Sequence, residues 1–164
     1  MRYFLTLLAL LASQAQAAAT HCTTDEQVLF SCKIAKSSKT LSLCASKDLA
    51  KDKGTVSYRF GKLGKIELAV TDSAEQGFKV FTYSHYFRAQ TDYTFIAFKN
   101  NAVEYQVFDS YDGENKPHYQ QGVTVLTGDA QETTLLCDQK IDAHLEKLRG
   151  ILQCNKENPL FDCE

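Results

Sequence analysis

From Val28 onward the chain alternates apolar and polar residues with a period of two. Val28, Phe30, Cys32 and Ile34 share one parity, and Leu41 and Leu43 alternate with Thr40, Ser42 and Cys44. Successive strand residues point to opposite faces, so these runs predict a hairpin turning at Ser37-Ser38. Val56, Tyr58 and Phe60 continue the pattern; after the flexible turn Gly61-Lys62-Leu63-Gly64 come Ile66, Leu68 and Val70. Further runs cover 78–87, 93–99, 103–108, 123–125 and 133–137, with a break at Arg88–Asp92 and a turn at Asn100-Asn101, where Asn tolerates positive φ. Twelve of the sixteen aromatic residues beyond residue 17 lie between Phe78 and Tyr119. Aromatic and β-branched residues suit a pleated, half-buried surface, so this density is chiefly a sheet signal.

The pattern changes after Cys137. Ile141, Leu145, Leu148, Ile151 and Leu152 form a stripe at helical period, with Lys140, Asp142, Glu146, Lys147 and Arg149 opposite. Asp138 can cap the first turn, so the spacing predicts a helix over about 139–152, followed by a disulfide-anchored tail, 153–164. About eight or nine short strands and one C-terminal amphipathic helix give a mainly β fold: an antiparallel sandwich or a small up-and-down barrel.

The first residues change the compartment. Arg2, the apolar run Phe4–Ala12 and the small-x-small triplet Ala15-Gln16-Ala17 read as a signal peptide over 1–17, cleaved after Ala17. The run is too short to span a bilayer, which takes about 20 apolar residues. Residues 18–164 are expected to form a single β-rich domain, periplasmic or secreted, with 17 basic and 20 acidic residues. That balance lacks the basic footprint of a nucleic-acid binder. Six cysteines in an exported chain read as three disulfides. A turn at Ser38 would set Cys32 opposite Cys44; Cys137 and Cys154 bracket the predicted helix; Cys22 and Cys163 lie near the termini. Cys32–Cys44 is the expected bridge; pairing the other four in that way would tie down each end, but fifteen pairings are open. No zinc-ligand spacing is present, and nothing calls for a metal or cofactor.

Catalytic motifs are lacking. There is no G-x-S-x-G, no H-E-x-x-H and no phosphate-cradling glycine loop. Ser84 and His85 are neighbours on one strand, so they point to opposite faces and cannot form a nucleophile–base couple. Asp109 to Gln121 reads as a long acidic, tyrosine-bearing loop. Tyrosine gives large contact area at low entropic cost, so Asp109, Tyr111, Asp112, Glu114, His118 and Tyr119 form the first candidate binding surface. The bland alternative packs both tyrosines back onto the sheet. A second candidate patch centres on Tyr86 and Arg88, where the guanidinium could stack on the ring and reach Asp92 or Asp109.

Phe30-Ser31-Cys32, Ser42-Leu43-Cys44-Ala45-Ser46, Tyr58-Arg59-Phe60-Gly61 and Gly122-Val123-Thr124-Val125 resemble the shared patches of a group of small exported bacterial proteins of uncharacterised function. The resemblance implies a secreted or periplasmic, β-rich, disulfide-bonded protein. In size, export and architecture the chain is also similar to periplasmic lysozyme inhibitors. It departs from them in lacking the Ser-Gly-x-x-Tyr motif of their inhibitory loop, since it holds no Ser-Gly pair. The expectation is an exported, non-enzymatic binding protein of the bacterial envelope, acting on another protein through the 109–121 loop. The alternative is a small hydrophobic-ligand carrier, its site inside a barrel lined by Phe81, Phe95 and Tyr105.

Overall fold

A computed structural model describes residues 19–114, 118–128, 131–155 and 163. Residues 1–18, where a signal peptide is expected, and most of the tail beyond Asn155 lie outside the described residues. Alternation does produce strands. A four-stranded antiparallel sheet runs β1 (Glu26–Lys33), β2 (Lys39–Ser46), β3 (Thr55–Lys62) and β4 (Lys65–Ser73), in that order. A second sheet holds β5 (Thr82–Arg88), β6 (Thr91–Asn100), β7 (Val103–Asp112), β8 (His118–Thr127) and β9 (Gln131–Leu136) as a meander. The short β10 (Gln153–Cys154) adds to β5 in parallel.

The barrel alternative is not formed: the strands make two sheets that share one core. Leu29, Phe30, Leu43 and Tyr58 of the first meet Tyr83, Ile96, Phe98 and Val107 of the second. Tyr58, Phe81 and Tyr105 ring Phe98 at centroid distances of 4.7, 5.2 and 5.0 Å. Phe81 and Tyr105 therefore pack the sheet interface rather than line a barrel. Phe95 alternates with Ile96 and lies on the opposite face of β6.

The link between the sheets is built on one buried carboxylate. Asp72 is fully buried and accepts backbone N–H bonds from Ser73, Lys79, Val80 and Phe81 at 2.8–3.2 Å. Charge-assisted bonds of this kind are roughly twice as strong as neutral ones, and they offset the desolvation of the charge.

The predicted helix is corrected. Among the described residues, 139–152 form an extended strap with a single 3-10 turn, Leu145–Leu148. Leu145 and Leu148 still reach the core. The strap's backbone bonds are local only around the 3-10 turn; elsewhere they go outward, from Asp138 N–H to the Lys33 carbonyl and from His144 N–H to that of Leu29. Those tertiary bonds replace the helical ladder.

All six cysteines are bridged, as Cys22–Cys44, Cys32–Cys137 and Cys154–Cys163. The expected Cys32–Cys44 bridge is thus corrected, and the other four cysteines pair neither around the 139–152 segment nor end to end. The β1–β2 turn passes through Lys36 in the left-handed region, which sets Cys32 opposite Leu41 rather than Cys44. Cys32 and Cys44 then lie on opposite faces. Cys32 faces the core, where the isolated bridge Ile34–Cys137 brings its partner. Cys44 faces outward, beneath the segment carrying Cys22. A bulge at Leu29 also turns Val28 outward and puts Leu29 in its place in the core. Three disulfides suit an oxidising, extracytoplasmic environment.

Candidate functional site

The strands of the second sheet are up to ten residues long, and only part of their inner face is apolar. The pairing register draws one apolar rung across it: Tyr83, Ile96, Val107, Val123 and Leu135. Two residues further along each strand the next rung reads His85, Thr94, Asp109 and Gln121. The rung after that is Phe87, Asp92, Tyr111 and Tyr119. The face that begins as core thus ends as a polar shelf. The strap crosses the boundary and adds Glu146 and Arg149. Together these side chains line a groove of about 500 Å³.

Gln121 fastens the strap in place. Its side-chain amide N–H groups donate to Asp109 Oδ1 at 2.9 Å and to the Ile141 carbonyl at 3.1 Å. Its Oε1 accepts from Ile141 N–H at 2.8 Å. Asp109 is held half-buried, and burial pushes its carboxyl above the usual range. The Gln121 bond and Lys140 pull the other way, while nearby Asp92 and Glu146 push with burial.

His85 bridges two charges. Its Nδ1 lies 2.7 Å from an Arg149 guanidinium nitrogen and its Nε2 2.9 Å from Asp92 Oδ1. A guanidinium only donates, so Nδ1 accepts, and Nε2 carries the N–H that donates to Asp92. The groove therefore presents three carboxylates, Asp92, Asp109 and Glu146, against the single guanidinium of Arg149. Its rim is aromatic: Phe87 is 72% and Tyr119 52% exposed. Tyr119 leans on Tyr111 at 4.5 Å between ring centroids, and Lys140 Nζ sits 3.4 Å from the Tyr119 centroid. Negative charge beside exposed π-faces favours a cation.

The long loop expected over 109–121 is corrected as well. Asp109–Asp112 belong to β7 and His118–Gln121 to β8, so the connection spans only 113–117. Alternation then divides the first candidate set. Asp109, Tyr111 and Tyr119 enter the groove. Asp112 and His118 pair across the opposite face, where Tyr86 and Arg88 also lie. There Arg88 does stack on Tyr86, at 5.8 Å, but its carboxylate is Glu114 at 2.9 Å. Asp92 and Asp109, the acids expected for it, are on the other side of the sheet. Asp112 accepts from Glu114 N–H and from the Tyr93 hydroxyl, which together hold its carboxyl below the usual range. Part of the first candidate set, Asp112 and His118, thus shares a face with the second patch, where Arg88 is paired with Glu114.

Sequence reasoning missed Thr94, Glu146 and Arg149 as site residues; it had His85 and Phe87 only within the stretch around Tyr86, and Asp92 only as an acid for Arg88. The shared face of the strand residues was legible from alternation once β5, β6 and β7 were put in register. Glu146 and Arg149 were hidden by the helix expectation, which sent them to solvent. One further cluster, Cys22, Glu26 and Cys44, has metal-ligand spacing, but both sulfurs are bridged and Glu26 is paired with Arg59 at 2.6 Å. No known protein family, curated protein or solved structure matches the chain.

Proposed function

We propose that this is an exported, non-enzymatic binding protein of the bacterial envelope, and that it engages a basic partner protein at the Asp92–Asp109–Glu146 groove. The site moves from the loop of the sequence reading to the shelf beside it, keeping Asp109, Tyr111 and Tyr119. One observation carries the reading: three carboxylates and the two most exposed rings of the second sheet converge on one groove of about 500 Å³. Aromatic anchors with charge beside them are common makings of an interface hot spot. On the opposite face Arg88 is matched to Glu114 and Asp112 accepts from Tyr93.

The test is direct binding of the exported form to a panel of basic proteins, lysozymes included, at low and physiological salt. Tyr119→Ala and Asp109→Asn should each weaken the interaction by about tenfold or more, the range of interface hot spots. Tyr86→Ala, on the other face, should leave it within about twofold, as a position outside the interface does. Equal effects on the two faces would remove the groove as the docking site.

A further inference from the structure

The identity of the docked group can be read from what the chain itself puts beside the groove, on the Tyr119 ring that borders it. Lys140 extends from the strap and lays its ammonium over the Tyr119 ring. Among the described residues it forms no ion pair. Its charge nonetheless reaches Asp109, where it favours the ionised carboxylate. Tyr119 is half exposed even so, and its ring also borders the groove that holds Asp109 and Asp92. An exposed lysine held by one ring face is weakly held, because a cation–π contact at the surface is among the weaker attractions in a protein. Negative charge around it exceeds positive, so a second cation is drawn to the same place.

We infer that Lys140 is a resident stand-in, and that the groove takes a single lysine- or arginine-type side chain which displaces it from Tyr119 and pairs with Asp109. The occupant is an ammonium or guanidinium on an aliphatic stem. The stem lies along Phe87 and Tyr111, and the charge sits between the Tyr119 face and the carboxylates. This rests on the groove being the docking site, and it adds the chemistry of the docked group and a built-in competitor.

Three probes test it on the full exported chain: N-acetyl-lysine methylamide, its arginine counterpart, and the neutral isostere N-acetyl-norleucine methylamide. Titration is followed by amide chemical shifts. The two cations should bind at about millimolar affinity, as expected of ligands this small, and move the amides of Asp109, Tyr111 and Tyr119. Norleucine should not. Lys140→Gln should tighten binding of both cations by about two- to fivefold, the equivalent of one exposed cation–π contact removed from the competition. Tyr119→Leu, which keeps an apolar side chain on β8, should weaken it. The inference is overturned if norleucine binds as well as lysine, or if Lys140→Gln leaves cation affinity unchanged or lowers it. Basic proteins that still bind at the groove while the small cations do not would sink the single-side-chain reading and leave the docking site standing. Failure of both would remove the docking site too.

Discussion

Asp109→Asn separates stability from binding, and the structure gives the sign of each. The wild-type carboxyl is half-buried, and burial raises its pKa above the 3.8 of a free aspartate. A raised carboxylate pKa means that the native chain holds its proton to higher pH than the unfolded chain does. Stability from this group is fully present below about pH 4 and is lost as pH rises through the folded value. At neutral pH the charge is a cost that the fold carries. Asparagine keeps an oxygen for the Gln121 amide and sheds that cost. Asp109→Asn should therefore match wild type near pH 3 and equal or exceed it near pH 7 in urea unfolding. Affinity for a basic partner should move the other way. Losing one charge-assisted contact removes about 1.5–3 kcal/mol, or about 10- to 150-fold. A stabilised chain that binds poorly is the signature of a residue kept for function. A variant less stable than wild type at pH 7 by about 1 kcal/mol or more would refute the reasoning, because it would make ionised Asp109 a net support of the fold.

Other expectations follow from the same geometry. Asp72→Ala strands four backbone N–H donors around the inter-sheet link and should cost about 3–5 kcal/mol in denaturant unfolding, the range for breaking a buried charge network. Gln121→Ala unfastens the strap from β8 and should cost about 1–3 kcal/mol, with hydrogen exchange at Ile141 rising more than at core amides such as Val107. Replacing Cys32 and Cys137 together by alanine opens a closure spanning 105 residues and should cost about 4–5 kcal/mol, whereas Cys154 with Cys163, only nine apart, should cost about 2–3 kcal/mol. The Arg59 guanidinium holds the Glu26 carboxyl below its ordinary 4.5, so that pair contributes stability above about pH 4.5 that fades as pH falls through the folded value. Arg59→Met should flatten this part of the acid-unfolding curve.

The strands were legible because period two is a local signal, and the placing of Val56, Tyr58 and Phe60 or of the Asn101 turn needs only neighbouring residues. The disulfides were not, because their pairing depends on register. A three-residue difference in register at the β1–β2 turn, Cys32 opposite Leu41 instead of Cys44, puts the two cysteines on different faces. The helix failed for a related reason. Ile141, Leu145 and Leu148 have helical spacing, yet the strap finds better backbone partners in Lys33, Leu29 and Gln121, which no local pattern reveals. The site was half visible. Acidity and tyrosines between Asp109 and Tyr119 drew attention to the hairpin that lines one side of the groove. Reading it as a loop, however, mixed two faces that the sheet keeps apart. What the groove adds comes from strands β5 and β6 and from the strap, brought together only by folding.

Chemical-shift mapping with a bound basic protein addresses the groove most directly. On titration, the largest amide shifts should fall on His85, Phe87, Asp92, Asp109, Tyr111 and Tyr119, and should shrink as salt is raised. Shifts gathered instead on Tyr86, Tyr93, Asp112 and Glu114 would place docking on the opposite face and contradict the groove as the binding site.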